Sequence, residues 1–151
     1  MAEFARRKPP RRHADEVVTV LAVGLDEADR KDLRRIFDSS NWVMYEVENC
    51  EEALGFLKSN PLGVIVCEYR MDRACWHNLL QEISPLEKPP LMVVTSRRAD
   101  DSLWAEVLNM GGYDVLAQPY DKSEVVRVLS LAWLHWKTGL TQPGVMAAYA
   151  S

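Results

Sequence analysis

The sequence predicts one α/β domain, a (βα)5 doubly wound parallel sheet with strand order 2-1-3-4-5. Three observations carry this. Short β-branched apolar runs of strand length recur along the chain, amphipathic stretches of helical period separate them, and Asn, Gly or Pro marks most changeovers. Strands buried on both faces read as continuous apolar runs, and alternation with helices places those helices on both faces of a parallel sheet. Right-handed crossovers then leave few topologies.

In order, Val17–Val23 is apolar and β-branched, as a central strand should be. Asp26 and Glu27 open a helix with apolar positions at Ala28, Leu33, Ile36 and Phe37, and acids suit a helix N-terminus. Trp42–Val47 reads as the second strand. Asn49 with Glu52 resembles a capping box, and Cys50, Ala53, Leu54 and Leu57 follow at helical spacing until Asn60-Pro61. Val64–Cys67 is the third strand, stopped by Glu68, and Trp76, Leu79, Leu80 and Ile83 mark the next helix up to Ser84-Pro85. Leu91–Val94 is the fourth strand, ending at Thr95-Ser96. Leu103, Trp104, Val107 and Leu108 define the fourth helix, closed by Gly111-Gly112. Tyr113–Ala117 is the fifth strand. Asp121 and Glu124 precede a last helix along Val125, Val128, Leu129, Ala132 and Trp136, which Gly139 ends.

The domain therefore spans 17–138, between a basic tail (1–16) and a short C-terminal tail (139–151). Of the net charge of −4, residues 1–16 contribute +2, through Arg6, Arg7, Lys8, Arg11 and Arg12 against Glu3, Asp15 and Glu16. Pro9 and Pro10 inside that run favour a solubilising leader over a nucleic-acid contact. No run of about 18 uncharged apolar residues exists, so no spanning helix and no membrane partner are expected. The three cysteines, Cys50, Cys67 and Cys75, form no CxxC pair and read as reduced thiols of a cytoplasmic protein. With the three histidines scattered, no zinc-type metal site is expected.

In an open sheet of this order, ligands bind beyond the carboxyl ends of the first and third strands. The residues to inspect therefore follow Val23, Cys67, Val94 and Ala117. Four phrases carry a family resemblance there: Glu46-Val47-Glu48-Asn49-Cys50-Glu51-Glu52-Ala53-Leu54, Val64-Ile65-Val66-Cys67-Glu68, Pro90-Leu91-Met92-Val93-Val94-Thr95-Ser96, and Gly112-Tyr113-Asp114-Val115-Leu116-Ala117-Gln118-Pro119-Tyr120. In this order and spacing, Val18–Lys137 resembles a response-regulator receiver domain of two-component systems, which has the flavodoxin-like topology. The resemblance implies an acid pair for Mg²⁺ after the first strand and a phosphoacceptor Asp after the third. It also implies a Thr or Ser after the fourth strand and a Lys after the fifth, offsetting the charge that phosphoryl transfer crowds together.

The chain departs from that pattern. Gly24 and Leu25 stand where the acid pair belongs, and Asp26 comes one position late, as part of a helix cap. Glu68 takes the phosphoacceptor position, and Gln118 replaces the lysine before Pro119, a proline preceded by a cis bond in many members. Val115 replaces the switch aromatic, and Thr95 alone is unchanged in kind. An extra methylene displaces the Glu68 carboxylate by about 1 Å, which can cost ~10²-fold in a positioned reaction. A lost preorganised donor typically costs about 10²–10³-fold. The expectation is a degenerate receiver, or pseudo-receiver, that neither binds Mg²⁺ nor accepts phosphate, needs no cofactor and is no enzyme.

Glu68 could reach toward Thr95 as an incomplete mimic of a phosphorylated acid, with Arg70 as its cation, or both could be solvated strand-end residues. Asp26 and Glu68 sharing a metal in a still-switching receiver is an alternative. An α/β enzyme is another, although GxGxxG, GxxxxGK[ST] and GxSxG are all missing. The last helix is apolar around much of its girth. With the receiver resemblance, this implies a protein partner or a second copy on the helix 4, strand 5, helix 5 face, with Trp104, Val126 and Trp133 as candidate contacts. The flanking stretches are too short for a helix-turn-helix unit, so no output domain is expected, and signalling would run through protein contacts.

Overall fold

A computed structural model describes residues 17–69 and 75–139. The tail expected at 1–16, all but Gly139 of the one expected at 139–151, and Arg70 lie outside these residues. Within them run β1 (Thr19–Val23), α1 (Glu27–Ser40), β2 (Val43–Val47), α2 (Cys50–Ser59), β3 (Val64–Glu68), α3 (Cys75–Ile83), β4 (Leu91–Ser96), α4 (Asp101–Asn109), β5 (Asp114–Ala117) and α5 (Lys122–Thr138). The strands are all parallel and pair in the order β2-β1-β3-β4-β5, as expected.

Successive strand side chains point to opposite faces, and this chain uses both faces for core. Val20, Ala22, Val64, Val66 and Val93 pack with Leu33, Ile36 and Phe37 of α1 and with Val125, Val128, Leu129 and Ala132 of α5. Their neighbours Leu21, Val23, Ile65, Cys67, Met92 and Val94 face the other way. They pack with Ala53 and Leu57 of α2, Trp76, Leu79 and Ile83 of α3, and Leu103 and Val107 of α4. Each run is therefore wholly apolar because neither face meets water.

Caps fix where the helices begin. Asp26, Asn49, Asp100 and Asp121 each accept the N–H three residues on, at 2.9, 2.9, 2.9 and 3.0 Å. Glu52 returns its carboxylate to the Glu48 N–H at 2.9 Å, one residue before the cap, a variant of the capping box that the sequence suggests. Gly139 ends α5 in the left-handed conformation, φ 84°. Two strands start later than the sequence suggests. Trp42 gives its N–H to Phe37 in the exit from α1, Val17 precedes the ladder, and Val18 joins it only through its carbonyl, which accepts from the Val43 N–H at 3.0 Å.

One cysteine expectation needs correction. Cys67 is buried in the core, but Cys50, the first residue of α2, is disulfide-bonded. Spacing along a chain does not report distance in space, so the missing CxxC pair could not exclude a bond between distant cysteines.

Candidate functional site

The carboxyl ends of β1, β3, β4 and β5 converge on one polar cluster. Beyond β1, Gly24 takes φ 75° while its N–H continues the ladder to the Val47 carbonyl at 3.1 Å. A Cβ there would meet Glu68 only at ordinary contact distance, 3.9 Å from its Cβ, so it is the left-handed φ and not space that favours glycine. Leu25, expected in the pocket, is 5% exposed and packs into the α1–α5 core. The reason is its chemistry: fully burying a Leu is worth roughly 1.5–3 kcal/mol. Asp26 stays at the rim, its carboxylate held by the Asp29 N–H as the cap of α1.

Gln118 is the hub. It is 5% exposed, and its two amide protons have two acceptors: Glu68 Oε1 at 3.0 Å and the Tyr120 hydroxyl at 3.2 Å. The Thr95 hydroxyl, wholly buried, donates to the same Tyr120 oxygen at 3.0 Å. The Gln118 carbonyl oxygen is buried with no hydrogen-bond partner among the described residues. The Gln118–Pro119 bond is cis, and the Gln118 N–H reaches the Ser96 carbonyl at 3.0 Å. Tyr120 in turn gives its N–H to Asp32 of α1 at 3.1 Å. Burial, above all, raises the Tyr120 phenol above its ordinary value of 10, against the opposing hydrogen bonds from Thr95 and Gln118.

Glu68 and Thr95 are joined through the Gln118–Tyr120 pair: the amide of Gln118 extends to Glu68 and to the Tyr120 phenol, and that phenol accepts from the Thr95 hydroxyl. The suggested pairing of Glu68 with Arg70 lies outside the described residues. Val115, at the switch-aromatic position, is buried in the α2–α4 side of the core.

Beside this network opens a cleft of about 680 Å³, lined by Asp26, Asp29, Glu68, Ser96, Arg97 and Arg98 among others. Sequence reasoning missed Asp29, Arg97 and Tyr120. Asp29 is 4% exposed and accepts from Arg97 Nη2 at 2.7 Å, tying α1 to the loop after β4. Desolvation, then the neighbouring Asp26, raise its pKa from 3.8, against the attraction of Arg97. A signal for Arg97 exists, since it lies in the loop after the fourth strand, where the topology places ligands. Asp29 gave none, because a helix acid near a cap is ordinarily solvated.

A receiver's Mg²⁺ would need convergent oxygen ligands. Gly24 has no side chain, Leu25 lies in the core, Asp26 caps α1 and Asp29 is paired with Arg97. Among the described residues no three His, Cys, Asp or Glu side chains are grouped to hold a metal ion. The residues present do not fit the ion.

Of the surface candidates, Trp104 is 42% exposed on α4, while Val126 and Trp133 on α5 are half-buried against the core. Leu131 and Leu134 on α5 are exposed. Among the described residues no helix is long and apolar enough to cross a membrane.

A family model described as the response regulator receiver domain matches residues 20–130. Among solved structures, the signal receiver domain of an HD-domain-containing protein from Pseudomonas fluorescens Pf-5 is 19% identical. It covers 82% of this chain and 99% of its own, at TM-score 0.69. The receiver domain of a Francisella response regulator is also 19% identical, covering 78% and 98%, at TM-score 0.67. A Saccharomyces cerevisiae response-regulator receiver domain, crystallised with a histidine phosphotransfer signaling protein, is 15% identical, covering 79% and 90%, at TM-score 0.68. At these identities the likeness is one of fold. No curated protein sequence matches the chain significantly.

Proposed function

This chain belongs to the response regulator receiver domain family of two-component signalling, and from that premise we propose that it signals without being phosphorylated. It is then a pseudo-receiver, a protein-contact module and not an enzyme. The observation that carries this is the amide of Gln118, which spans Glu68 and Tyr120 where family members place a lysine. An amide supplies two directed donors and no charge, so it can hold one carboxylate but cannot offset a phosphoryl group. With Leu25 in the core and Asp26 in a cap, the cation that would otherwise do so has no seat. The bonds from Gln118 to Glu68 and from Thr95 to Tyr120 hold the ends of β3, β4 and β5 in one arrangement. The contact surface in this reading is the α4–β5–α5 face, where Trp104, Leu131 and Leu134 are exposed. The yeast neighbour, crystallised with a histidine phosphotransfer signaling protein, is an example of a receiver fold that binds a protein partner.

The test is direct. With Mg²⁺ and acetyl phosphate, intact mass and tryptophan emission stay unchanged. A phosphate adduct that hydroxylamine removes, as it does an acyl phosphate, would overturn the reading.

A further inference from the structure

β5 is an edge strand, and its free side forms the floor of a second groove, about 420 Å³. Val115 and Ala117 lie along it, Trp104 stands at its wall, and Asp100, Asp101, Asp114 and Glu124 rim it. An edge strand with an exposed tryptophan beside it is an unpartnered face. Two of the acids have local bonds, Asp100 to the Leu103 N–H and Asp114 to the Val115 N–H and to the side chain of Trp104, which leaves the indole face open. A carboxylate accepting one such bond keeps lone pairs for others. Arg127 faces Asp114 and offsets part of its charge. Asp101 and Glu124 have no such local cap, and with Asp100 they leave the upper groove acidic.

We infer that the groove is occupied by this chain's own basic segment, Arg6-Arg7-Lys8, which rests on the α4–β5–α5 reading above and names its partner. Charge selects the segment: the domain outside 1–16 carries −6, whereas residues 6–12 hold five bases and no acid. Arginine also matches the wall, because a guanidinium stacks on an indole face while its donors reach carboxylates. Reach sets the triplet. Asp114 is level with Val93, Val66 and Ala22 in the sheet register, five residues above Val17 and three strands across. At ~3.3 Å per residue and ~4.8 Å per strand, the straight span is roughly 22 Å. Arg12, five residues before Val17, extends at most about 18 Å, whereas Lys8 to Arg6 extend about 30–39 Å. Arg6, Arg7 and Lys8 reach the groove with slack, within one chain or across to a second copy, whereas within one chain the backbone at Arg11 only just spans the distance, at about 22 Å, and at Arg12 stops short of it.

The experiment uses the full chain carrying Arg6→Ser, Arg7→Ser and Lys8→Ser, which frees the groove, and a synthetic peptide of residues 3–15. Titration at about 50 mM salt, where surface charges are weakly screened, is expected to saturate and to shift tryptophan emission. Adding Asp101→Lys with Glu124→Lys weakens binding about tenfold or more, and Trp104→Ala removes the emission shift while circular dichroism confirms folding. Sedimentation of the unsubstituted chain separates docking within one chain from docking between copies, and either supports the inference. Absence of saturation, or binding indifferent to the groove substitutions, overturns it. So does a triplet that retains DNA in a salt-dependent way and does not bind the groove. If Trp104→Ala abolishes association with a partner while the triplet substitution does not, the contact face stands and this occupant falls. A phosphate adduct formed with acetyl phosphate would sink the earlier reading alone.

Discussion

Tyr120→Phe removes a single oxygen, and the structure says what that oxygen supports. It accepts from Thr95 at 3.0 Å and from Gln118 at 3.2 Å, and both donors are buried. Gln118 keeps its bond to Glu68 and loses the other; the Thr95 hydroxyl loses the partner given above. A buried donor left unsatisfied costs about 1–3 kcal/mol. Two such donors, one able to relax within an amide that keeps a partner, give an expected loss of roughly 2–4 kcal/mol. In urea denaturation followed by tryptophan emission, that is a midpoint lowered by on the order of 1–2 M at unchanged slope. Tyr45→Phe, at an exposed tyrosine, is the control and should move the midpoint little. The same variant alters the alkaline limb. A phenol whose folded pKa is raised lends stability that is full below pH 10 and lost as pH climbs through the folded value. Tyr120→Phe should flatten that decline. Equal midpoints for Tyr120→Phe and Tyr45→Phe would refute the claim that this hydroxyl is the joint of the network.

Asp29 has a raised folded pKa, so its share of stability is full below pH 3.8 and lost as pH rises through the folded value; Asp29→Asn should abolish that slope in acid-range denaturation. A Cβ on Gly63 would meet the Trp136 ring at 2.4 Å, so Gly63→Ala should cost about 1–3 kcal/mol through overpacking. Gly55, helical with open space around its Cβ position, should gain roughly 0.5–1 kcal/mol as Ala, both read by thermal denaturation. Leu25→Asp puts an acid back where receivers carry one, yet here the side chain enters the core. It should destabilise by about 3 kcal/mol or more and restore no Mg²⁺ binding in calorimetric titration.

The fold was legible because burial on both sheet faces leaves a pattern that survives in one dimension. Val64-Ile65-Val66-Cys67 contains no polar residue, since Val64 and Val66 meet one helix layer and Ile65 and Cys67 the other. Helix starts were legible for a local reason: Asn49 takes the Glu52 N–H and Glu52 takes the Glu48 N–H, all within five consecutive residues. Strand starts were less so. Trp42 suits a strand by composition, but its N–H closes α1, and composition does not say which carbonyl an amide will find.

The candidate site was legible by position and not by partner. Topology alone named the loops after Val23, Cys67, Val94 and Ala117, and Glu68 and Gln118 stand there. What joins them spans 50 residues in sequence for Glu68–Gln118 and 68 for Asp29–Arg97, distances over which no local pattern operates. Leu25 shows the converse error. Treating it as a defective pocket residue assumes that its side chain still points where an acid would. Changing chemistry changes direction, because an apolar group at a strand end gains by turning inward and a carboxylate loses by it. At this position the want of an acid and the presence of a core contact therefore have one cause. For that reason reverting the residue alone should break packing before it rebuilds a metal site.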